Sequence, residues 1–354
     1  MRAGDAHTSR RRSAARRSRP TPAAAPRGAV AQACGPKVLA HGGPKVLAYG
    51  GGLDSFTALL LAIERDELPD AVVFADVGDP NGLDPAEWPG TYRHLREVVQ
   101  PLCARHAIPF VWLDTTSYPV RGERSLFAWL EARHQIPVAG PRRICTIIAK
   151  VERFERWLDD TYPDQDVEVW VGFEKGEESR AEKDPNAGTK RAPKPGHARR
   201  YNRFPVMEAG FCRCRCETFV RALGYAVPRK SACVFCPYAS RGDWQTYARE
   251  LPRSFARVVR LELSKPPTKV NKLKLSIMGF GKRKNGTYRA SPLPVFIQGT
   301  YTPRKQSCKV CGASQRASKA TGCDFLPAPK NEPLSWAALA AQLSPITSTL
   351  GVSP

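Results

Sequence analysis

The chain has 354 residues, 42% of them hydrophobic, which is enough for one large domain or two ordinary ones with a buried core. No apolar run approaches the roughly 20 residues of a membrane-spanning helix, so we expect a cytoplasmic protein with no membrane partner. Eleven cysteines without a recognisable secretory signal favour metal or cluster ligation over a disulfide framework.

The net charge of +22 is concentrated in two segments. Residues 1–33 contain eight Arg and one Asp, and residues 263–323 contain thirteen Lys or Arg and no acidic residue. The remainder is nearly neutral. This segregation is typical of proteins that bind a phosphate backbone, so a nucleic acid is a predicted partner. Coding bias toward Arg is the alternative.

A strand, a glycine turn and a helix start are predicted over residues 45–61. The turn contains Gly50, Gly51, Gly52, Asp54 and Ser55. Glycines permit tight bending and close approach, and a helix N-terminus offers free backbone N–H groups to an anion. The pattern predicts a phosphate-binding loop, and a glycine turn without a ligand is the alternative.

Further apolar runs predict strands at residues 71–75, 109–113 and 167–171, with helices between them. This alternation predicts an α/β fold with a doubly wound parallel sheet covered on both faces. Ligands of such sheets bind beyond the carboxyl ends of the strands. We therefore expect Asp76 and Asp114 to lie at the same edge as the glycine loop.

The loop resembles the Ser-Gly-Gly-x-Asp-Ser pyrophosphate-binding loop of the adenine nucleotide alpha-hydrolase-like (PP-loop) ATPases and of phosphoadenosine phosphosulfate reductase. Gly50 stands where the family has its first Ser, so one hydroxyl donor is missing. Asp76-Val77-Gly78 and the later segment at residues 87–92, EWPGTY, resemble the family's Asp-Thr-Gly and Glu-x-Pro-x-Thr-Tyr.

Residues 172–180, GFEKGEESR, resemble the family's phosphate-contacting Gly-x-Arg-x-x-Glu-Ser-x-Arg. Glu178, Ser179 and Arg180 match, whereas the earlier Arg is absent and Lys175 is the cation nearby. A solvated charged loop is the alternative. The basic, proline-rich stretch at residues 183–203 is predicted to be a mobile loop.

Cys233-x-x-Cys236-Pro237 can bind one metal centre with two thiolates. Together with Cys145 and Cys216 it resembles the cysteine set of cluster-bearing members of the superfamily, which implies a 4Fe-4S cluster. Structural zinc and a dithiol redox pair are alternatives, and Cys212 or Cys214 could replace Cys216.

Cys308-x-x-Cys311 with Cys323 forms a separate set in the basic C-terminal part. A pair followed by Gly and a third Cys predicts a second zinc site, with free thiols as the alternative.

Composition predicts a disordered basic tail at residues 1–34, a basic region with the zinc site at 263–330 and a tail at 331–354, and the resemblance implies a nucleotide-binding domain at 35–262. It also implies catalytic roles for Asp54, Ser55 and Asp76. The resemblance implies that these three residues bind the nucleotide together with Gly50, Gly51, Gly52, Ser179 and Arg180.

Two chemistries are compatible with these residues. In the first, ATP with Mg²⁺ adenylates a nucleic acid, pyrophosphate leaves, and sulfur from a donor protein replaces the activated oxygen. In the second, the loop holds phosphoadenosine phosphosulfate and a cysteine takes its sulfonate. The reductases use a Glu-Cys-Gly-Leu tail for this, which the sequence lacks, so sulfur transfer is favoured. A non-catalytic nucleic-acid-binding protein on a degenerate ATPase fold is the third hypothesis.

Overall fold

The computed structural model describes residues 42–78, 85–137, 143–184 and 196–264, two short segments at 280–282 and 288–290, and residues 293, 297, 298 and 310. The predicted tail at residues 1–34, most of the basic region and Cys308, Cys311 and Cys323 lie outside the described residues.

The main sheet has five parallel strands in the order β3-β2-β1-β4-β5. They are β1 (Lys45–Ala48), β2 (Ala71–Ala75), β3 (Phe110–Leu113), β4 (Asp166–Val171) and β5 (Arg199–Arg203). A separate antiparallel pair joins β6 (Phe280–Lys282) and β7 (Tyr288–Ala290). The parallel sheet with flanking helices confirms the predicted α/β doubly wound class.

Helices connect the strands and extend the fold beyond the sheet. They are α1 (Leu53–Glu64), α2 (Pro89–His94), α3 (Gln100–Arg105), α4 (Leu126–Ala132), α5 (Ile144–Thr146), α6 (Glu152–Thr161), α7 (Glu178–Ala181), α8 (Pro205–Glu208), α9 (Arg213–Ala222), α10 (Arg241–Glu250) and α11 (Pro252–Ser264). Two π-helical turns, Leu95–Val99 and Ile147–Val151, join α2 to α3 and α5 to α6.

Successive strand residues point to opposite faces, so the apolar runs supply two cores. On one face, Leu47 and Phe74 pack with α1, α3 and α9. On the other face, Val46 and Val73 pack against Trp157 of α6. This two-sided burial explains why β2 is apolar throughout and β1 is apolar after Lys45.

A third core is built from α4, α10, α11 and the segment at residues 233–239. Trp244 and Phe255 are completely enclosed within it, and Phe235 meets Phe127 edge-on. This core positions the Cys-x-x-Cys turn relative to the sheet.

Part of the predicted loop at residues 183–203 is instead the edge strand β5. Its arginine content masked the strand, but those side chains are paired with acids: Arg200 with Glu155 at 3.3 Å, and Arg203 with Glu67 at 2.6 Å. Charged side chains are usual on an edge strand because they discourage further pairing.

Arg153 of α6 holds together the carboxyl ends of β2 and β3. Its guanidinium donates to the carbonyl oxygens of Leu113 at 2.7 Å and Asp114 at 2.8 Å, and to that of Asp76. Burial lowers the pKa of Arg153 to about 10. These bonds satisfy strand-end carbonyls that water would otherwise have to solvate.

None of the helices in the described ranges is both long and apolar enough to cross a membrane.

Candidate nucleotide and cysteine site

The glycine loop connects β1 to α1 at the carboxyl edge of the sheet. Gly51 has a φ of +78°, and a side chain there would meet the Thr91 methyl group at 2.6 Å. Gly172, at the end of β4, lies so close that an added Cβ would approach Ser55 N at 2.7 Å. The backbone therefore forms a cradle that side chains at these glycines would fill.

Ser55 and Asp54 occupy the first turn of α1. The Ser55 hydroxyl donates to the Gly52 carbonyl at 3.0 Å. One carboxylate oxygen of Asp54 is buried, accepts no hydrogen bond from the described residues and lies 3.9 Å from an Arg213 guanidinium nitrogen. Burial raises the pKa of Asp54, and Arg213 opposes that rise.

Asp76 follows β2 and is completely buried. One carboxylate oxygen accepts hydrogen bonds from Gly78 N at 2.9 Å and from the Tyr92 hydroxyl at 2.7 Å. The other accepts from the Trp112 indole N–H at 3.1 Å. The carboxylate thus orders the start of the next loop, and its predicted catalytic role stays a prediction.

Glu87 and Lys150 form an ion pair beside Asp76. The Glu87 carboxylate is fully buried and accepts from Lys150 Nζ at 3.3 Å. Burial raises the pKa of Glu87, and Lys150 opposes the rise. Burial disfavours the Lys150 cation as well, but Glu87 and Cys233 keep the pKa of Lys150 above its usual value.

Three of the predicted ligands line one cavity of about 380 Å³. They are Cys145, the second residue of α5, and Cys233 and Cys236 of the Cys-x-x-Cys turn. Lys150 and Trp129 also contribute to its wall. The sequence thus brought together three cysteines from two distant segments.

Burial raises the pKa of all three thiols, that of Cys145 to about 11. Negative charge on a neighbouring thiolate would raise these pKa values further, since Cys236 acts on Cys145 and both act on Cys233. Buried thiols with raised pKa values become thiolates when a metal centre supplies positive charge.

Cys216 is separated from these three by the structure. It is fully buried in the core between α1 and α9, where its sulfur and carboxylate oxygens of Asp54 and Glu174 lie within 4.8 Å of one another. Burial, and next the charge of Asp54, raises the pKa of Cys216 well above the usual value of a thiol, so outside a metal site it is a neutral thiol. Its alternatives, Cys212 and Cys214, lie at the start of the same helix.

Residues 230–234 connect the cysteine cavity to the glycine loop. The Ser231 hydroxyl donates to the Gly50 carbonyl at 2.5 Å. Next to it, Trp88 N donates to the Ala232 carbonyl at 3.1 Å, and the backbones of Cys233 and Glu87 form an isolated antiparallel β-bridge. The loop and the cysteines are therefore parts of one continuous region.

Ser179 and Arg180 lie in α7 and are exposed. The Arg180 guanidinium lies 4.3 Å from the centre of the Phe173 ring and pairs with Glu177. Together with Arg213, its positive charge opposes the rise that burial causes in the pKa of Asp54, so α7 brings this arginine within electrostatic reach of the glycine loop.

Sequence reasoning did not assign roles to Ser231, Lys150 or Arg213. Lys150 lies in a π-helical turn that sequence periodicity does not indicate, although such turns occur often at functional sites. Ser231 gave one weak signal, its position two residues before Cys233.

No family model matches the chain, and no curated protein matches it. Among solved structures it is similar to the U34-tRNA thiolase NcsA from Methanococcus maripaludis, solved with its [4Fe-4S] cluster. The match has 16% sequence identity and a TM-score of 0.35, and it covers 62% of this chain and 71% of that chain. A likeness at that level establishes neither a family nor a function.

Proposed function

We propose that this protein is a PP-loop enzyme that activates a nucleic acid with ATP and replaces the activated oxygen with sulfur, assisted by a cysteine-bound iron–sulfur cluster. The observation that carries the proposal is the continuity between the glycine loop and the three-cysteine cavity through residues 230–234. Adenylation and sulfur delivery on one acceptor require neighbouring sites.

In the first step, an oxygen of the acceptor attacks the α-phosphate of ATP, and the bond to the bridging oxygen of the β-phosphate breaks. Pyrophosphate leaves with that electron pair. The N–H groups of the loop and the Ser55 hydroxyl bind the departing phosphates, which is the electrostatic task of a helix N-terminus. Asp54 has a buried carboxylate oxygen with no hydrogen-bond donor among the described residues, so it would hold Mg²⁺.

In the second step, a sulfide sulfur attacks the activated atom, and AMP leaves with the displaced oxygen and the electron pair of the bond that breaks. The cavity has room for a sulfur nucleophile beside the three cysteines. Lys150, fixed by Glu87, adds a positive charge between the nucleotide edge and the cysteines. That charge would stabilise negative charge on the departing AMP.

The donor set fits a cluster better than a lone zinc ion. Thiolates around one tetrahedral zinc, with Zn–S bonds of about 2.3 Å, lie about 3.8 Å apart. Among the described residues, the group of three ligand atoms within 4.8 Å of one another is that of Asp54, Glu174 and Cys216, and not that of the three cavity cysteines. Cys145, Cys233 and Cys236 would therefore hold a 4Fe-4S cluster, and with three protein ligands such a cluster would offer an open position for a sulfur ligand.

The acceptor is proposed to be a nucleic acid because residues 263–323 contain thirteen basic and no acidic residues. Most of these basic residues lie outside the described residues, and together they would attract the phosphate backbone of a nucleic acid.

The test uses full-length protein purified without oxygen. It is incubated with Mg·ATP, sodium sulfide and a pool of single-stranded RNA and DNA oligonucleotides, followed by nuclease digestion and mass spectrometry. We expect one pyrophosphate and one AMP for each sulfur incorporated. Ser55→Ala should lower kcat/KM for ATP at least about tenfold, because it removes a hydrogen bond to a charged phosphate.

Three results would contradict the proposal. ADP instead of AMP would rule out attack at the α-phosphate. Sulfite released from phosphoadenosine phosphosulfate, without sulfur incorporation, would establish the reductase alternative. Oligonucleotide binding without any ATP turnover would leave a binding protein on a degenerate ATPase fold.

A further inference from the structure

Ser231 lies against the glycine loop although it belongs to the cysteine-bearing segment. Its hydroxyl donates to the Gly50 carbonyl at 2.5 Å. A Cβ added at Gly51 would lie 3.4 Å from Ser231 Cβ, and one added at Gly52 would lie 3.9 Å from Ser231 Oγ. Ser231 thus borders the space that the absence of side chains leaves open in the loop.

Two serine hydroxyls therefore contact this short loop, that of Ser55 from within the loop and that of Ser231 from the cysteine-bearing segment. Ser55 donates to Gly52 O and Ser231 to Gly50 O. A hydroxyl can rotate, so both can transfer their hydrogen bond from a loop carbonyl to a phosphate oxygen when an anion binds. Hydrogen bonds to a charged group are the stronger ones, which favours that exchange.

The loop itself provides fewer hydroxyls than its sequence pattern suggests. Gly50 has no side chain, so only Ser55 within the loop carries one. Geometry does not exclude a serine at position 50, because among the described residues the nearest atom to an added Cβ is Ser55 Oγ at 4.0 Å. The glycine at this position is therefore compatible with the donor being supplied from elsewhere.

We infer that Ser231 is a phosphate-binding residue of the nucleotide site, supplying from the cysteine segment the hydroxyl that the loop lacks at Gly50. The inference rests on the proposed nucleotide-binding function and deepens it. Because Ser231 is two residues from Cys233, the same short segment would contact the bound phosphate and carry the cysteine turn.

The experiment compares wild type, Ser231→Ala, the double variant Ser231→Ala with Gly50→Ser, and the control Thr218→Ala. Thr218 is an exposed hydroxyl of α9 that donates only to the Cys214 carbonyl in the described structure. Calorimetry measures binding of Mg·ATP and of pyrophosphate alone to each full-length protein. Bound metal is measured in parallel.

We expect Ser231→Ala to weaken both ligands about tenfold or more, with bound metal unchanged, because a hydrogen bond to a charged group is lost. Gly50→Ser should recover most of that loss, and Thr218→Ala should bind as wild type does. Rescue from a different chain position is a result that a merely structural role for Ser231 would not give.

The inference is overturned if Ser231→Ala binds both ligands as tightly as wild type. It is equally overturned if Ser231→Ala loses bound metal and Gly50→Ser restores nothing, since Ser231 would then only brace the cysteine segment. A wild-type protein that binds neither ligand would instead refute the proposed function itself.

Discussion

Gly172 packs directly against the glycine loop, and it can do so because it has no side chain. An added Cβ would lie 2.7 Å from Ser55 N and 2.8 Å from Asp54 C, and both are backbone atoms that cannot move without shifting α1. Gly172→Ala should weaken Mg·ATP binding at least about tenfold and lower the free energy of unfolding by about 1–3 kcal/mol, the usual cost of overpacking.

Calorimetry and urea unfolding would measure these two effects. Gly42→Ala is the matched control, because an added Cβ at Gly42 would lie within 4 Å of no atom in the described part of the chain. Unchanged nucleotide affinity in Gly172→Ala would mean that the first turn of α1 does not bind the phosphates.

Cys216 and Ser231 illustrate what could not be predicted residue by residue. A cysteine at the start of a helix, seventeen residues before Cys233, gives no information about which face of that helix is buried. The structure turns Cys216 and Val220 toward α1, where apolar surface is available. Ser231 reaches Gly50 across 181 positions, and no local pattern encodes such a contact.

His94 joins three elements beneath the nucleotide edge. It belongs to α2, its ring meets Phe56 of α1 edge-on at 4.8 Å, and its Nε2 lies 3.2 Å from the hydroxyl of Tyr49, which follows β1. Burial lowers the pKa of His94 to about 4. The neutral ring is therefore part of the packing that holds α2 against the sheet.

This pKa predicts an acid-sensitive stability. The unfolded chain binds the His94 proton near pH 6.5, and the folded chain binds it only near pH 4. The contribution of the neutral His94 to the free energy of unfolding is therefore fully present above pH 6.5 and is lost as the pH falls toward 4. Between pH 7 and pH 5 this contribution to the free energy of unfolding falls by about 2 kcal/mol. In His94→Gln, which cannot titrate there, urea unfolding should show that much less acid destabilisation. An equal decline in both proteins would contradict the assignment.

At the level of elements, the strands β1 to β4 were predictable because each is a short, mainly apolar segment with a sharp boundary, and the glycine turn because its residues are consecutive. β5 was not, since its arginines resemble a solvated loop until Glu67, Glu155 and Asp166 are seen to pair with them. The π-helical turn that carries Lys150 was also not predictable, because its backbone departs from the usual helical period.

The whole molecule combines a nearly neutral α/β domain with basic sequence segments. Within the described part, the sheet edge places the phosphate cradle, the Glu87–Lys150 pair and the three-cysteine cavity next to one another. The charge pattern, the parallel sheet and the cysteine pair were each predictable from the sequence. Their arrangement into one region depends on contacts between segments far apart in the chain, such as the bridge between Glu87 and Cys233.

The most direct test of this account is the iron, zinc and acid-labile sulfide content of full-length protein purified without oxygen, with its ultraviolet–visible spectrum. We expect a brown protein with a broad band near about 400 nm and about four irons per chain. Cys145→Ser, Cys233→Ser and Cys236→Ser should each lose most of the iron, whereas Cys216→Ser should keep it. Colourless protein carrying only zinc, or iron lost in Cys216→Ser but retained in Cys145→Ser, would contradict the cluster in the three-cysteine cavity.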